Sequence, residues 1–308
     1  METGKKYNGV VIPAVTPLTA DLKLDHEAAG KMFEFFRSNG VHAFILGTTG
    51  EGASIPFAMK KEFIHLAGKI KNEGAILYAS ISSNALEESI DLAKYSFDNG
   101  VDVAVATLPS YYTLTETDML KYIEQLAEAV NGPLMIYNIP STTHMSIPLT
   151  VIDQLSHHPN IVGLKDSERS EERLKQSIEL WKDRKDFCHF LGWAAKSADA
   201  LLMGSDGLVP STGNFEAKLY ADLFKAAREG DSNKAFELQK LSDALGNLYQ
   251  QGRTLGESLW ALKVLMKEIG LCQPNVMPPI YPQSKEEETK LINGLKQILN
   301  VETKNQNE

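Results

Sequence analysis

Eight apolar runs recur along this chain, and their spacing narrows the possible folds more than any other feature. They are VVIPAVTPL (10–18), AFILGT (43–48), AILYASI (75–81), VDVAVATLP (101–109), PLMIYNIP (133–140), IVGLKDS (161–167), FCHFLGW (187–193) and GLVPS (207–211). Most lack polar alternation, the mark of strands buried on both faces. From one start to the next the interval is 20 to 33 residues, close to one βα unit each time. Helical patterns such as HEAAGKMFEFFRSNG and LEESIDLAKYSFDNG lie between them, each closing on Asn-Gly, a good helix stop.

Eight such units predict an α/β fold, a (β/α)8 TIM barrel. A doubly wound open sheet is the rival, and it places a glycine-rich phosphate loop after its first strand. Here that turn reads TPLTADLKLD, so the barrel is preferred. After about residue 214 the strand signal stops and the rest is helical. The pattern predicts a barrel over residues 1–228 and a C-terminal helical extension over 229–308, ending in a polar, frayed ETKNQNE.

Charge and composition exclude several classes. A net charge of −9 and a pI near 5.4 argue against nucleic acid, whose phosphates need a basic face. Lys and Glu are scattered rather than blocked, so no polybasic membrane patch is expected, and no apolar run approaches the ~18 residues of a span. The start, METGKKYNGVVIPAVTPL, is broken by prolines and lacks a cleavage pattern, so it does not read as a signal peptide. Cys188 and Cys272 stand far apart without CxxC spacing, which predicts buried thiols in a reduced, cytoplasmic setting. The seven histidines show no H-x-x-x-H pair, so no metal is expected.

In a barrel the chemistry lies at the carboxyl ends of the strands. Lys165 is the only lysine at such an end; the others fall on helices, loops or termini, where solvation is the default. A lysine in an apolar mouth has its charged form penalised, and the neutral amine can condense with a ketone or aldehyde. The equally open alternative is a structural ion pair of Lys165 with Asp166 or Glu51. Tyr137 ends the neighbouring strand, and a phenol beside an amine can shuttle protons; alone it would be a packed aromatic. The turn GTTGE (47–51) offers Thr48, Thr49 and backbone N–H groups to a carboxylate, or is a plain capped turn. Tyr111 and Tyr112 serve either interface packing or an extended relay.

Taken in order, GTTGE, the YY pair, YNIP, GLKD and the run GSDGLVPSTGN (204–214) resemble one family, the dihydrodipicolinate synthase / N-acetylneuraminate lyase family of pyruvate-handling class I aldolases. The resemblance spans nearly the whole chain. It implies a (β/α)8 barrel with a C-terminal helical extension, assembled as a homotetramer, a dimer of dimers. It implies that Lys165 forms a Schiff base with the keto carbon of pyruvate or a 2-keto acid, with no cofactor and no metal. Tyr137 would relay protons, Thr48 and Thr49 would hold the carboxylate, and Thr49 would join the relay. Tyr112 would reach into the neighbouring subunit's site, with Tyr111 its packed companion. Gly192 and Val209 would lie near the bound keto acid.

Departures from the family pattern bear on the substrate. YNIPSTTHM places Thr142 where dihydrodipicolinate synthases carry the arginine that binds an aldehyde's carboxylate, and threonine cannot make that bidentate pair. His144 stands where glycine is usual and would narrow or re-polarise the pocket. Trp193 follows Gly192, where aspartate or tyrosine is usual. After the third strand only Asn84 of G-x-x-x-N remains, and Thr115 stands where a proline usually follows the YY pair. GLKDS, with Asp166 beside the lysine, and STGNF resemble the members that cleave 2-keto-3-deoxy sugar acids to pyruvate and an aldehyde. The expected function is therefore a metal-independent, Schiff-base-forming lyase that reversibly cleaves a 2-keto-3-deoxy sugar acid or related 2-keto acid to pyruvate and an aldehyde. The alternatives are a dihydrodipicolinate synthase, an N-acetylneuraminate lyase, a keto-acid dehydratase, a non-catalytic keto-acid-binding paralogue or a metal-dependent aldolase.

Overall fold

A computed structural model describes residues 4–305. Residues 1–3 and 306–308, which include the start of the expected barrel span and the end of the polar tail, lie outside the described residues. Eight parallel strands close into one barrel in chain order. They are β1 (Gly9–Pro13), β2 (His42–Ile45), β3 (Leu77–Ser80), β4 (Val103–Ala106), β5 (Leu134–Asn138), β6 (Ile161–Asp166), β7 (Cys188–Leu191) and β8 (Gly207–Leu208). Each falls inside its predicted run or overlaps it by most of its length. The seam is short: Gly9 pairs with Gly207 and Val10 with Leu208.

The helices between the strands are α1 (His26–Ser38), α2 (Phe57–Ile70), α3 (Leu86–Asp98), α4 (Glu116–Ala129), α5 (Pro140–Thr143), α6 (Leu149–Leu155), α7 (Glu171–Trp181) and α8 (Ser197–Met203). After β8, α9 (Ala217–Arg228) packs on β1 and α8, and α10 (Ser232–Gln250), α11 (Leu255–Glu268) and α12 (Lys285–Asn305) follow. Asp25 caps α1 by accepting from Ala28 N–H at 3.0 Å, and α1 stops at Asn39 and Gly40, whose φ of 64° suits glycine. Thr115 closes a capping box with Asp118 at the start of α4, which accounts for a threonine where the family pattern has proline.

Side-chain alternation on the strands makes two cores. Val11, Phe44, Tyr78, Val103, Met135 and Phe190 fill the barrel, while residues such as Ile12, Ile45, Ile136 and Leu164 pack outward against the helices. Complete burial of a side chain such as Phe190 contributes roughly 1.5–3 kcal/mol by removal of apolar surface from water. Among the described residues no helix is long and apolar enough to cross a membrane.

Two lysines correct the expectation that every lysine but Lys165 is solvated. Lys5 is buried beneath the barrel and paired with Asp206 at 2.8 Å, and Lys263 of α11 is buried against Glu51 at 2.5 Å. An ammonium tolerates burial when a counter-charge and further acceptors replace its water, and both lysines have them.

Candidate active site

β5 and β6 are paired so that Tyr137 lies directly opposite Lys165. Both side chains point into the barrel, since Met135 and Tyr137 belong to the interior core and Ile136 to the outer one. Lys165 Nζ sits 3.7 Å from the centre of the Tyr137 ring and 4.7 Å from that of Phe44. Neither predicted ion pair forms. Asp166 faces the opposite way and pairs with Arg173 of α7 at 2.6 Å, and Glu51 is taken by Lys263. Asn138 Nδ2 also donates to Asp166, at 2.9 Å, so the carboxylate beside the lysine braces β6 against β5 and α7 rather than facing the barrel interior.

The electrostatics follow from this placement. Burial lowers the Lys165 pKa below the ordinary lysine value, and the nearby Tyr137 phenol offsets only part of that. For Tyr137, burial alone would raise the phenol. The positive charge of Lys165 and hydrogen bonds with Thr48, Ser167 and Lys165 outweigh it, and the phenol lies below its usual value. The site thus holds an amine and a phenol moved towards each other in acidity, the arrangement that proton exchange between them requires.

Thr48 Oγ1 stands 3.5 Å from the Tyr137 hydroxyl, a long contact. Thr49 follows, half-buried, on the same turn. A cavity of about 540 Å³ opens above them, lined by Thr48, Tyr137, Thr142 and the loops after β3 and β4, and closed on one side by Leu255, Leu259 and Ile280. Thr49, Lys165, Gly192 and Val209 are not on its wall. Gly192 follows β7 with its N–H donating to Asp166 O at 2.6 Å, and Val209 is buried in the barrel interior above β8. His144, Trp193 and Tyr112 also lie off the wall. His144 is exposed and ends α5 in the left-handed conformation (φ 59°), which explains the glycine usual at this position. Trp193 is half-buried, with Lys196 Nζ 6.0 Å from its ring. Tyr111 and Tyr112 pack edge to face at 4.9 Å and are 78% and 73% exposed in the single chain.

The sequence reading passed over Phe44, Ser167 and the cavity wall given by the extension. Phe44 and Ser167 carry a signal. Ser167 is two residues after Lys165 and so shares its face, and Phe44 holds the inward position of β2. The contribution of Leu255, Leu259 and Ile280 has no such local mark.

Fold and site define a class: a parallel barrel whose carboxyl-end face carries a desolvated amine beside an acidified phenol. Residues 6–298 match the dihydrodipicolinate synthetase family, and the chain belongs to that family. It is 31% identical to an uncharacterized DapA-like lyase of Thermococcus kodakarensis, over 94% of this chain and 99% of that protein. It is 28% identical to a 4-hydroxy-tetrahydrodipicolinate synthase of Pseudomonas putida, over 94% and 97%. Among solved structures, the dihydrodipicolinate synthase of Bacteroides thetaiotaomicron superposes with a TM-score of 0.90 at 28% identity, covering 95% of this chain and 99% of that one. A prophage protein of the same family from E. coli K12, in complex with pyruvate, gives 0.90 at 26% identity with the same coverage.

Proposed function

We propose that the chain is a Schiff-base-forming lyase that reversibly cleaves a 2-keto-3-deoxy sugar acid to pyruvate and an aldehyde. The carrying observation is Lys165, a buried amine with depressed basicity and no carboxylate partner among the described residues, in register with Tyr137. Thr48 and Thr49 hold the substrate carboxylate. Neutral Lys165 attacks the C2 ketone, and the carbinolamine expels its hydroxyl as water with the proton of the Tyr137 phenol, leaving a cationic iminium and a phenolate. The Tyr137 phenolate takes the C4 hydroxyl proton, the C3–C4 bond breaks, and its electron pair flows into the iminium to form an enamine. The aldehyde leaves, C3 is protonated, and water hydrolyses the iminium to release pyruvate and restore the amine.

The cationic imine supplies the polarisation, so this route calls on neither a metal nor an organic cofactor. The pyruvate-bound structural neighbour and the lyase named among the relatives support the reaction class. The cavity wall supports the sugar acid. Thr142 and the serines after β3 offer hydroxyls, and these support a polyhydroxyl chain. The names of the Pseudomonas and Bacteroides proteins favour a second reading, condensation of pyruvate with a carboxylate-bearing aldehyde. The exposed Tyr111–Tyr112 pair is read as the contact of a homotetramer, with Tyr112 entering the neighbour's site, and the cytoplasm as the compartment.

Borohydride reduction in the presence of pyruvate, followed by peptide mass spectrometry, tests the chemistry. An adduct on Lys165 is expected, and folded enzyme without one overturns the reading. Pyruvate released from a panel of 2-keto-3-deoxy acids, against pyruvate consumed with carboxylate-bearing aldehydes, separates the two substrates.

A further inference from the structure

The turn carrying Thr48 and Thr49 adopts a shape that its sequence does not favour alone. Leu46 (φ 59°) and Glu51 (φ 55°) bracket it, both in the left-handed region that a residue with a Cβ enters only against steric cost. Local bonds help: Thr16 Oγ1 donates to Gly50 O at 2.6 Å, and Gly52 N–H to Gly47 O at 3.1 Å. The other anchor comes from outside the barrel. Glu51 Oε1 accepts from Lys263 Nζ of α11 at 2.5 Å, and Oε2 from Met277 N–H at 2.6 Å. Lys263 also donates to Thr16 O at 2.8 Å and Asn275 O at 2.7 Å. An ammonium has three donors, and these three acceptors engage them all. One lies after β1, one in the turn after β2 and one in the extension itself, so a single buried cation ties three segments together.

We infer that Lys263, through Glu51, is a positioning residue for the carboxylate-binding turn, which makes the C-terminal extension a working part of the site. The inference rests on the reading of Thr48 and Thr49 as the carboxylate holders. A built-in comparison exists at the other end of the barrel. Lys5 pairs with Asp206 and donates to Trp181 O and Phe187 O, the same three-acceptor arrangement at the amino ends of the strands. If buried lysines here served stability alone, losing either would have the same effect on substrate.

The test is the pyruvate dependence of borohydride trapping at Lys165 in wild type, Lys263→Met and Lys5→Met, with melting curves to confirm folding. For Lys263→Met the pyruvate concentration giving half-maximal trapping rises about tenfold or more, while the saturated rate stays within about threefold, because displacing a binding turn weakens ground-state binding before it touches the reacting groups. Lys5→Met melts earlier but keeps its half-saturation within about twofold, because its pair touches no part of the binding turn. Should Lys263→Met fail to fold because Glu51 is left unpaired, the double variant Glu51→Gln/Lys263→Met leaves no buried charge and decides the matter by the same readout. Wild-type half-saturation in a folded Lys263 variant, or an equal rise in Lys5→Met, overturns the inference alone. Wild type that forms no adduct overturns it together with the Schiff-base reading.

Discussion

Tyr137 and Lys165 set each other's acidity, so removing one phenolic oxygen has two separable effects. The phenol favours the charged form of Lys165, and its loss lets burial act with less opposition. In Tyr137→Phe the amine pKa therefore falls further, and the acid limb of kcat/KM moves to lower pH. On the proposed mechanism the proton acceptor for the C4 hydroxyl is gone as well, and kcat drops by roughly 10²–10⁴-fold. A pH–rate profile checks both, and an acid limb moving upward contradicts the coupling. This pair was legible in the sequence because strand ends in a barrel converge and only one lysine stands at such an end. Ser167 was within reach of the same alternation that places Lys165, whereas Phe44 needs the phase of β2 and Lys263 a partner 212 residues away. The lysine in WALKVLM did carry a mark, a lone cation in an otherwise apolar seven-residue stretch, of the kind that predicts a buried partner.

At the scale of elements, the turn after β2 is the most constrained piece of the site. A Cβ added at Gly52 would lie 1.8 Å from Leu46 O, a backbone atom that cannot rotate away. Gly52→Ala must shift the turn, at a cost of roughly 1–3 kcal/mol as for other overpacked sites. A lower melting temperature and a higher half-saturating pyruvate concentration are expected together, and normal pyruvate saturation would show that the turn is not the binding element. The strands and helix stops were readable because buried parallel strands are continuous apolar runs and Asn-Gly ends helices. The placement of Asp166 was not. Its direction depends on alternation within β6, and only the folded chain shows Arg173 waiting on the outer face.

Across the whole molecule, acid sensitivity has a named source. His189 on β7 is buried between Ser177 and Ser205, and burial, helped by Lys5 and Arg173, holds its pKa down to about 3. The unfolded chain protonates this ring below about 6.5 and the folded chain does not, so stability is full above that pH and declines as pH falls towards 3. The decline from this ring is roughly 1.4 kcal/mol per pH unit. Urea titrations from pH 7 to 4 should show that slope reduced in His189→Gln, and an unchanged slope would place the acid sensitivity elsewhere. The chain order of the contacts matters as well. The barrel seam joins Gly9 to Gly207, but Lys263 reaches back 247 residues to Thr16, and Met277 226 residues to Glu51. During synthesis every strand leaves the ribosome well before Lys263, which holds Glu51 in the turn after β2. On the inference that Lys263 positions the turn, a ribosome-bound chain stopped short of it carries Lys165 and Tyr137 without that fastening, and substrate affinity arrives only with the extension.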